Sequence, residues 1–513
     1  MTDPSPPEAY SDIPSVAPWD EHNQKWAGYV HPTDWQNPTP SGRYNLVVIG
    51  AGPAGLVTAI GAAGLGAKVA LVEKHLMGGD CLNVGCVPSK ALIAAGKASA
   101  AVRDAGDFGV DVPAGVRVDF GKVMERLRRI RADISHHDSA ERFSKLGIDV
   151  YIGSGQFTNG NTFEIDGKKL EFSKACVATG ARAAAPPITG LDNVEYLNNE
   201  TIFTLTELPS RTAFIGAGPI GCELSQAFQR FGSDATIVTN SKGILPREDR
   251  DAADIVQAAL LRDGVTILDE SSDLELSPDG DCIGISCKSA GTAHKIIVDK
   301  LVVAVGRAPN VENLGLEAAG IEFTNKGIVV DDRLRSTNKN IFAAGDVASR
   351  YQFTHSADFQ ARMVIANALF FGRRRASGLT IPWCTYTEPE LAHIGKLPEQ
   401  LQQEGIDFST FTVQMSEIDR AILDGEVEGF VKVHANKKGK ILGATIVAAH
   451  AGDMIGEISV AMTNGISLGS VANSIHPYPT QSEAIRKVGD QFNRTRLTPF
   501  VKGIMDRILR WRR

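Results

Sequence analysis

Gly78-Gly79-Asp80-Cys81-Leu82-Asn83-Val84-Gly85-Cys86-Val87-Pro88-Ser89-Lys90 sets two cysteines five residues apart in a glycine-rich stretch. On a helix, positions i and i+5 point about 140° apart, so a bridge between these thiols needs an irregular turn before the helix begins. Gly78, Gly79 and Gly85 permit such a backbone. A bridge here closes a very short loop near a helix N-terminus, where a thiolate is favoured and a strained disulfide is readily reduced. The competing reading is half of a structural zinc site, although zinc pairs usually lie about two to four residues apart and need a second pair. Cys176, Cys222, Cys282, Cys287 and Cys384 form no convincing one. Cys282 and Cys287 share the spacing, but on a strand they face opposite sides.

Upstream, Asn45-Leu-Val-Val-Ile49 reads as a buried strand, followed by Gly50-Ala-Gly52-Pro-Ala-Gly55 and a helix of small residues. A second strand, Lys68 to Val72, ends at Glu73. Strand, glycine turn, helix, strand and acid together form a dinucleotide fingerprint. The glycines let backbone approach a pyrophosphate at the helix N-terminus, and the acid takes ribose hydroxyls. Residues 46–67 carry no charge, but six glycines and a proline argue against a membrane span. The pattern recurs downstream. The strand Ala213-Phe-Ile runs into Gly216-Ala-Gly218-Pro-Ile-Gly221, so the chain is expected to hold two dinucleotides.

With 513 residues, the chain is too long for one core and points to about three domains. Its 43% hydrophobic and 22% charged residues are those of a soluble globular protein, and a net charge of −7 gives no reason to expect nucleic acid. Seven cysteines, sparse and odd in number, argue against a secreted disulfide framework. No signal peptide is legible in residues 1–44, and a cytoplasmic location is expected. That segment holds eight of the 24 prolines and Trp19, Trp26 and Trp35, and reads as an extended arm whose tryptophans dock on the body or a partner. The basic run from Arg126 to Arg131 reads as a solvated helix face backed by Val123, Leu127, Ile130 and Ile134.

These motifs, in this order over about residues 45–490, resemble the class I pyridine nucleotide-disulfide oxidoreductases: dihydrolipoamide dehydrogenase, glutathione reductase and mercuric reductase. The resemblance implies an α/β homodimer with two Rossmann-like dinucleotide-binding domains plus an α+β C-terminal dimerisation domain. Electrons would pass from a nicotinamide through FAD to the Cys81/Cys86 disulfide. It places the FAD-binding domain at 45–190 and 308–378, the NAD(P)H-binding domain at 191–307 and the dimerisation domain at 379–490. Gly50, Gly52, Gly55 and Glu73 would bind the adenosine end of FAD, and Asp346 its ribityl chain. Thr179-Gly180 and Gly306 would mark the two crossings between domains, and the helix opening at Phe353-Thr-His355 would face the flavin pyrimidine. Lys90, paired with Glu223, would lie beside the flavin, with Cys86 the flavin-proximal sulfur and Cys81 the one that attacks substrate.

Gly216, Gly218 and Gly221 would hold the nicotinamide cofactor. The strand after them ends at Thr239, where an NADH site carries a carboxylate. With Lys242 and Arg247 available for a 2′-phosphate, NADPH is expected over NADH.

Disulfide reductases of this family share a His-Pro-Thr run with a Glu four residues after the Pro. This chain reads His476-Pro-Tyr478-Pro479-Thr480-Gln-Ser-Glu483, putting Tyr478 at the base position and His476 two residues early. Mercuric reductases resemble this, with tyrosine there. A phenol with pKa near ~10 is a poor base at neutral pH but can donate a hydrogen bond or ligate a soft ion. The chain departs from the mercuric pattern in having no cysteine after Cys384 and no cysteine-containing metal-binding domain at the N-terminus. The expectation is therefore a mercuric reductase-like FAD- and NAD(P)H-dependent oxidoreductase. The alternatives are a dihydrolipoamide dehydrogenase-like or other disulfide reductase, a quinone or diaphorase-type reductase, and a redox-responsive dimeric binding protein. Residues 491–513 carry seven Arg or Lys against one Asp, with Leu497, Val501, Ile504, Ile508 and Trp511 on one stripe. Packing of this tail on its own body is expected, with a membrane surface as the alternative.

Overall fold

The uncharged run over residues 46–67 is explained by a strand covered on both faces, which needs no alternation of polar and apolar residues. In the computed structural model, which describes residues 6–513, Tyr44–Ile49 forms this strand and Pro53–Gly64 the helix after it. The strand pairs in parallel with Val69–Glu73 on one side and Lys168–Val177 on the other. Asp149–Ile152 extends the parallel sheet beyond Val69–Glu73, and the hairpin strands Gly155–Asn159 and Thr162–Ile165 add an antiparallel edge. Far along the chain, Ile341–Ala343 returns to pair in parallel with Lys168–Val177.

Between these visits lies a second parallel sheet, ordered Thr266–Leu268, Asp234–Val238, Arg211–Ile215, Lys300–Val303, with an antiparallel three-stranded meander over 272–298 beside it. The chain leaves and re-enters through Ala181–Ala183 and Arg307–Pro309, which pair with each other as a two-stranded ribbon. Residues 382–448 build a five-stranded antiparallel sheet that packs against Ala451–Thr463 and Glu483–Thr495. No helix among the described residues is long and apolar enough to cross a membrane.

Three sequence expectations need correction. The proline-rich start is not an extended arm over its described part. Its prolines cluster around a helix, Glu21–Val30, N-capped by the Asp20 side chain, and Trp26, Ala27 and Val30 are fully buried in the core of the first sheet's helical layer. The basic run is not a purely solvated face. Arg131 is fully buried with its guanidinium 3.6 Å from the Trp26 ring centre, and Arg128 is buried against Asp20. Of the apolar stripe expected behind Arg126–Arg131, Leu127 is buried, Val123 and Ile130 are half-buried and Ile134 is exposed; that a preceding segment would cover the basic side was not legible. The tail packs on its own body only over its first residues, which complete the helix Glu483–Thr495 with Phe492 buried and Gln491 Nε2 donating to Thr412 O at 2.8 Å; the helix after it, Pro499–Trp511, has no buried residue.

Trp26 also donates from Nε1 to Asn83 Oδ1 at 2.9 Å, tying the N-terminal helix to the segment between the two cysteines. Trp26→Ala removes a buried aromatic and leaves the buried Arg131 guanidinium without its ring partner. A loss of about 3–5 kcal/mol is expected, read by denaturant unfolding, with an unchanged midpoint contradicting the packing role.

Candidate active site

Cys81 lies in the short helix Gly79–Asn83 and Cys86 is the first residue of the helix Cys86–Arg103, with Gly85 between them. The approach to this turn demands glycine. Gly79 has φ +59, and a Cβ on it would fall 2.6 Å from the Gly52 Cα, so the cysteine turn and the first glycine loop touch backbone to backbone. Both cysteines are thiols here. Cys86 Sγ lies 3.6 Å from Thr354 Oγ1, and Thr354 opens the helix Thr354–Leu369. Two helix N-termini thus meet at one sulfur, which favours its anion. The Cys86 thiol is pushed down to about 6 by a hydrogen bond from Cys81, helped by Thr354 and Lys90 against the cost of burial. The Cys81 thiol is pushed up, by that same hydrogen bond and by burial. One sulfur is a thiolate near neutral pH while its neighbour keeps a proton.

Lys90 follows one turn after Cys86, and its Nζ sits 2.9 Å from Glu223 Oε2. Glu223 is buried on the helix Pro219–Phe231 of the second nucleotide domain, and its other oxygen accepts from Tyr386 N at 2.8 Å. The Tyr386 ring lies 4.5 Å beneath the Lys90 ammonium. One carboxylate therefore ties together the cysteine helix, the second glycine-loop helix and the antiparallel domain. It also fixes a cation near the sulfurs.

The residues present fit FAD at the first glycine loop. The helix Pro53–Gly64 starts at Gly52 with no side-chain cap, leaving its first N–H groups for an anion. Gly55 packs on the Gly50 carbonyl so closely that a Cβ would stand 1.7 Å from it. Glu73 accepts from Ala51 N at 2.7 Å and from His75 N at 2.9 Å, at the strand end expected for a ribose contact. Asp346 is lifted to about 6 by burial, opposed by Arg307 at 3.5 Å. Arg307 pairs with Asp80 as well, yet its buried Nε has no partner among the described residues, as expected where a polyanion completes the site. Thr179 Oγ1 donates to Asn310 O at 2.7 Å, joining the two crossings beside Gly180 and Gly306. His355 Nε2 contacts Pro382 O at 2.6 Å and its ring stacks on Phe353.

The second loop has the same construction. The helix Pro219–Phe231 starts at Gly218 with no side-chain cap, and Gly221 sits where a Cβ would be 1.9 Å from the Gly216 carbonyl. Thr239 is buried, with its hydroxyl 2.9 Å from that of Ser241, and Lys242 and Arg247 are exposed beyond it. Asp269 reaches this turn too, but accepts from Gly243 N at 2.9 Å.

Tyr478 is 71% exposed and donates to Asp419 Oδ2 at 2.8 Å, a bond that raises the phenol's pKa further. Glu483 does not hold Tyr478; its carboxylate pairs with Arg486 at 2.9 Å. His476 Nε2 meets Glu457 Oε1 at 2.9 Å, and its side chain is almost covered. The expected orienting role of Glu483 on a side chain at 478 is thus not seen in this chain.

Sequence reading missed Thr354, Tyr386, Arg307 and Asp80. Three of them flank residues it singled out, Cys81, Gly306 and His355, so the motifs had the right address and too few members. It also missed a cleft of about 390 Å³ beside Cys86, lined by Val87, Lys90, Ala91, Arg126, Ile130 and Ile134 among others. Among the described residues, no three His, Cys, Asp or Glu side chains converge as a metal site.

Residues 44–361 match the family described as pyridine nucleotide-disulphide oxidoreductase, and residues 381–488 match that family's dimerisation domain. A mercuric reductase of Bacillus cereus is 32% identical over 445 residues, 86% of this chain and 70% of that one. A dihydrolipoyl dehydrogenase of Bacillus subtilis is 35% identical over 452 residues, 86% of this chain and 94% of that one. Among solved structures, the HOCl-induced flavoprotein disulfide reductase RclA of Escherichia coli, as its Cu(II) complex, superposes with a TM-score of 0.77 at 28% identity, covering 88% of this chain and all of RclA. LpdA of Mycobacterium tuberculosis gives 0.79 at 25% identity over 87% of this chain and 99% of LpdA. Members of the family depend on FAD and take electrons from NAD(P)H. The chain belongs to the pyridine nucleotide-disulphide oxidoreductase family and carries both its nucleotide-binding region and its dimerisation domain.

Proposed function

We propose that this protein is a mercuric reductase-like enzyme, a homodimer that passes electrons from NADPH through the Cys81/Cys86 pair to an acceptor that returns no thiol proton. The observation that carries this reading is the phenol at 478. Reduction of a disulfide needs a group that holds the proton between attacking and leaving sulfurs, and Tyr478, hydrogen-bonded to Asp419 with its pKa raised, stays protonated. A soft metal ion makes no such demand, and the Cys86 thiolate is a soft ligand at neutral pH.

FAD, when bound, supplies the two-electron relay between nicotinamide and the sulfurs. Gly50, Gly52, Gly55, Glu73, Thr179, Gly180, Asp346 and His355 would hold it, and Lys90, fixed by Glu223, would stabilise negative charge beside it. Gly216, Gly218, Gly221, Thr239, Lys242 and Gly306 would hold NADPH. Cys86 holds the thiolate next to Thr354, and Cys81 keeps the proton until it attacks or binds the acceptor. In the dimer, the segment 476–483 of one protomer would complete the sulfur site of the other, bringing Tyr478 as a donor or ligand. For Hg(II) the exchange balances as NADPH plus Hg(II) giving NADP⁺, H⁺ and elemental mercury. The FAD-binding domain would span 45–190 and 308–378, the NAD(P)H-binding domain 191–307 and the dimerisation domain 379–490.

A second reading, a quinone-type acceptor, is favoured by the cleft beside Cys86, whose aliphatic walls are flanked by Lys90 and Arg126. An acceptor screen on FAD-loaded protein decides between these readings. Steady NADPH oxidation with Hg(II) or a quinone, and slow turnover of lipoamide and glutathione disulfide, is the expected result. No steady turnover with any of them would point to a redox-responsive binding protein.

Cofactor choice gives a separate expectation. With Thr239 where a carboxylate would repel a 2′-phosphate, kcat/KM should favour NADPH, and Thr239→Glu should move the NADPH:NADH ratio toward NADH by about tenfold or more. A wild-type preference for NADH would contradict it.

A further inference from the structure

The helix Pro499–Trp511 begins at an N-cap in which Thr498 Oγ1 accepts from Val501 N at 3.3 Å, so it is a formed helix although none of its residues is buried among the described residues. At 3.6 residues per turn, Phe500, Ile504, Met505, Ile508, Leu509 and Trp511 fall within roughly half of its circumference. Lys502, Asp506, Arg507 and Arg510 occupy the other half. The apolar half lies open to solvent, with Phe500 76% and Trp511 87% exposed. At 13 residues, or ~20 Å, the helix is too short to span a bilayer core of ~30 Å.

We propose that this helix holds the protein on an anionic lipid surface, lying in the interface with its apolar half among the acyl chains and its basic half among the headgroups. Charge supports lipid over other occupants. The helix carries Lys502, Arg507 and Arg510 against Asp506, and Arg512 and Arg513 follow it directly, although the chain as a whole is at −7. Bulky apolar side chains on one face and a basic opposite face are the interfacial pattern. The helix begins beyond residue 488, where the matched dimerisation domain ends, so it lies outside the segment that the family uses for pairing. The preceding helix, Glu483–Thr495, is packed through Ile485, Val488 and Phe492, which anchors the tail to the body and leaves its last turns free to reach a surface. This inference is independent of the acceptor's identity.

The test is co-sedimentation of full-length, FAD-loaded protein with phosphatidylcholine vesicles, with and without phosphatidylglycerol. Wild type should partition onto the anionic vesicles at least about tenfold more than onto neutral ones, and added salt should reverse it. Ile504→Glu with Ile508→Glu should abolish recruitment, and Arg507→Gln with Arg510→Gln should weaken it, both without loss of FAD or of NADPH oxidation. Both sites are exposed on an unpacked helix, and retained flavin reports that the body is folded. Wild type left in the supernatant, equal binding to neutral and anionic vesicles, or full binding by the Glu variant would overturn the proposal. A change in dimer dissociation caused by the Glu variant, without vesicle recruitment of wild type, would assign the face to a second copy and overturn it as well.

Discussion

Tyr478→His should raise turnover of lipoamide or glutathione disulfide by about 10²- to 10⁴-fold, the range a positioned acid-base group contributes. The wild-type phenol donates to Asp419, which raises its pKa, so in the proposed dimer it would give the leaving sulfur no base. An imidazole at 478 titrates near neutrality and can shuttle that proton. The size of the gain depends on orientation, because Glu483 is engaged with Arg486 and Asp419 is the carboxylate already in contact with residue 478. Tyr478→Phe should impair Hg(II)-dependent NADPH oxidation if the phenol serves as a ligand. Rapid wild-type turnover of either disulfide would overturn this account and point to His476, whose ring is fixed on Glu457. His476→Gln would then remove that turnover.

Cys86→Ser should lower acceptor reduction by about 10³-fold or more while FAD stays bound, since in the proposed reading it removes the sulfur that would carry electrons onward. The loss has a pH counterpart. The Cys86 thiol is lowered to about 6 by Cys81, Thr354 and Lys90, so its thiolate is present above that pH and is lost as pH falls through it. A thiolate-dependent rate should therefore fall off below about pH 6, and Lys90→Met should move the fall to higher pH. Full quinone reduction by Cys86→Ser would mean that this acceptor bypasses the sulfurs.

The parts legible in the sequence are those governed by local backbone rules. The glycine loops at Gly50 and Gly216, the strands before them and the turn between Cys81 and Cys86 depend on positions within a few residues, and the fold follows from their order. The Lys90–Glu223 pair came only through resemblance, because 133 residues separate its members. Tyr386 beneath Lys90, Thr354 beside Cys86 and Arg307 between Asp80 and Asp346 were illegible for the same reason: each meets its partner only after domains assemble. Composition misled at the N-terminus. Prolines predicted an extended chain, but Trp26 and Arg131 find each other in the core, and burial of an indole and a guanidinium outweighs the proline signal.

Whether electrons leave through Cys81 and Cys86 is read by counting thiols. The chain has seven cysteines. After anaerobic reduction by NADPH and denaturation, the wild-type protein should titrate two more thiols per chain than the air-oxidised protein, and Cys86→Ser should show no such gain. An equal count before and after NADPH would contradict the account.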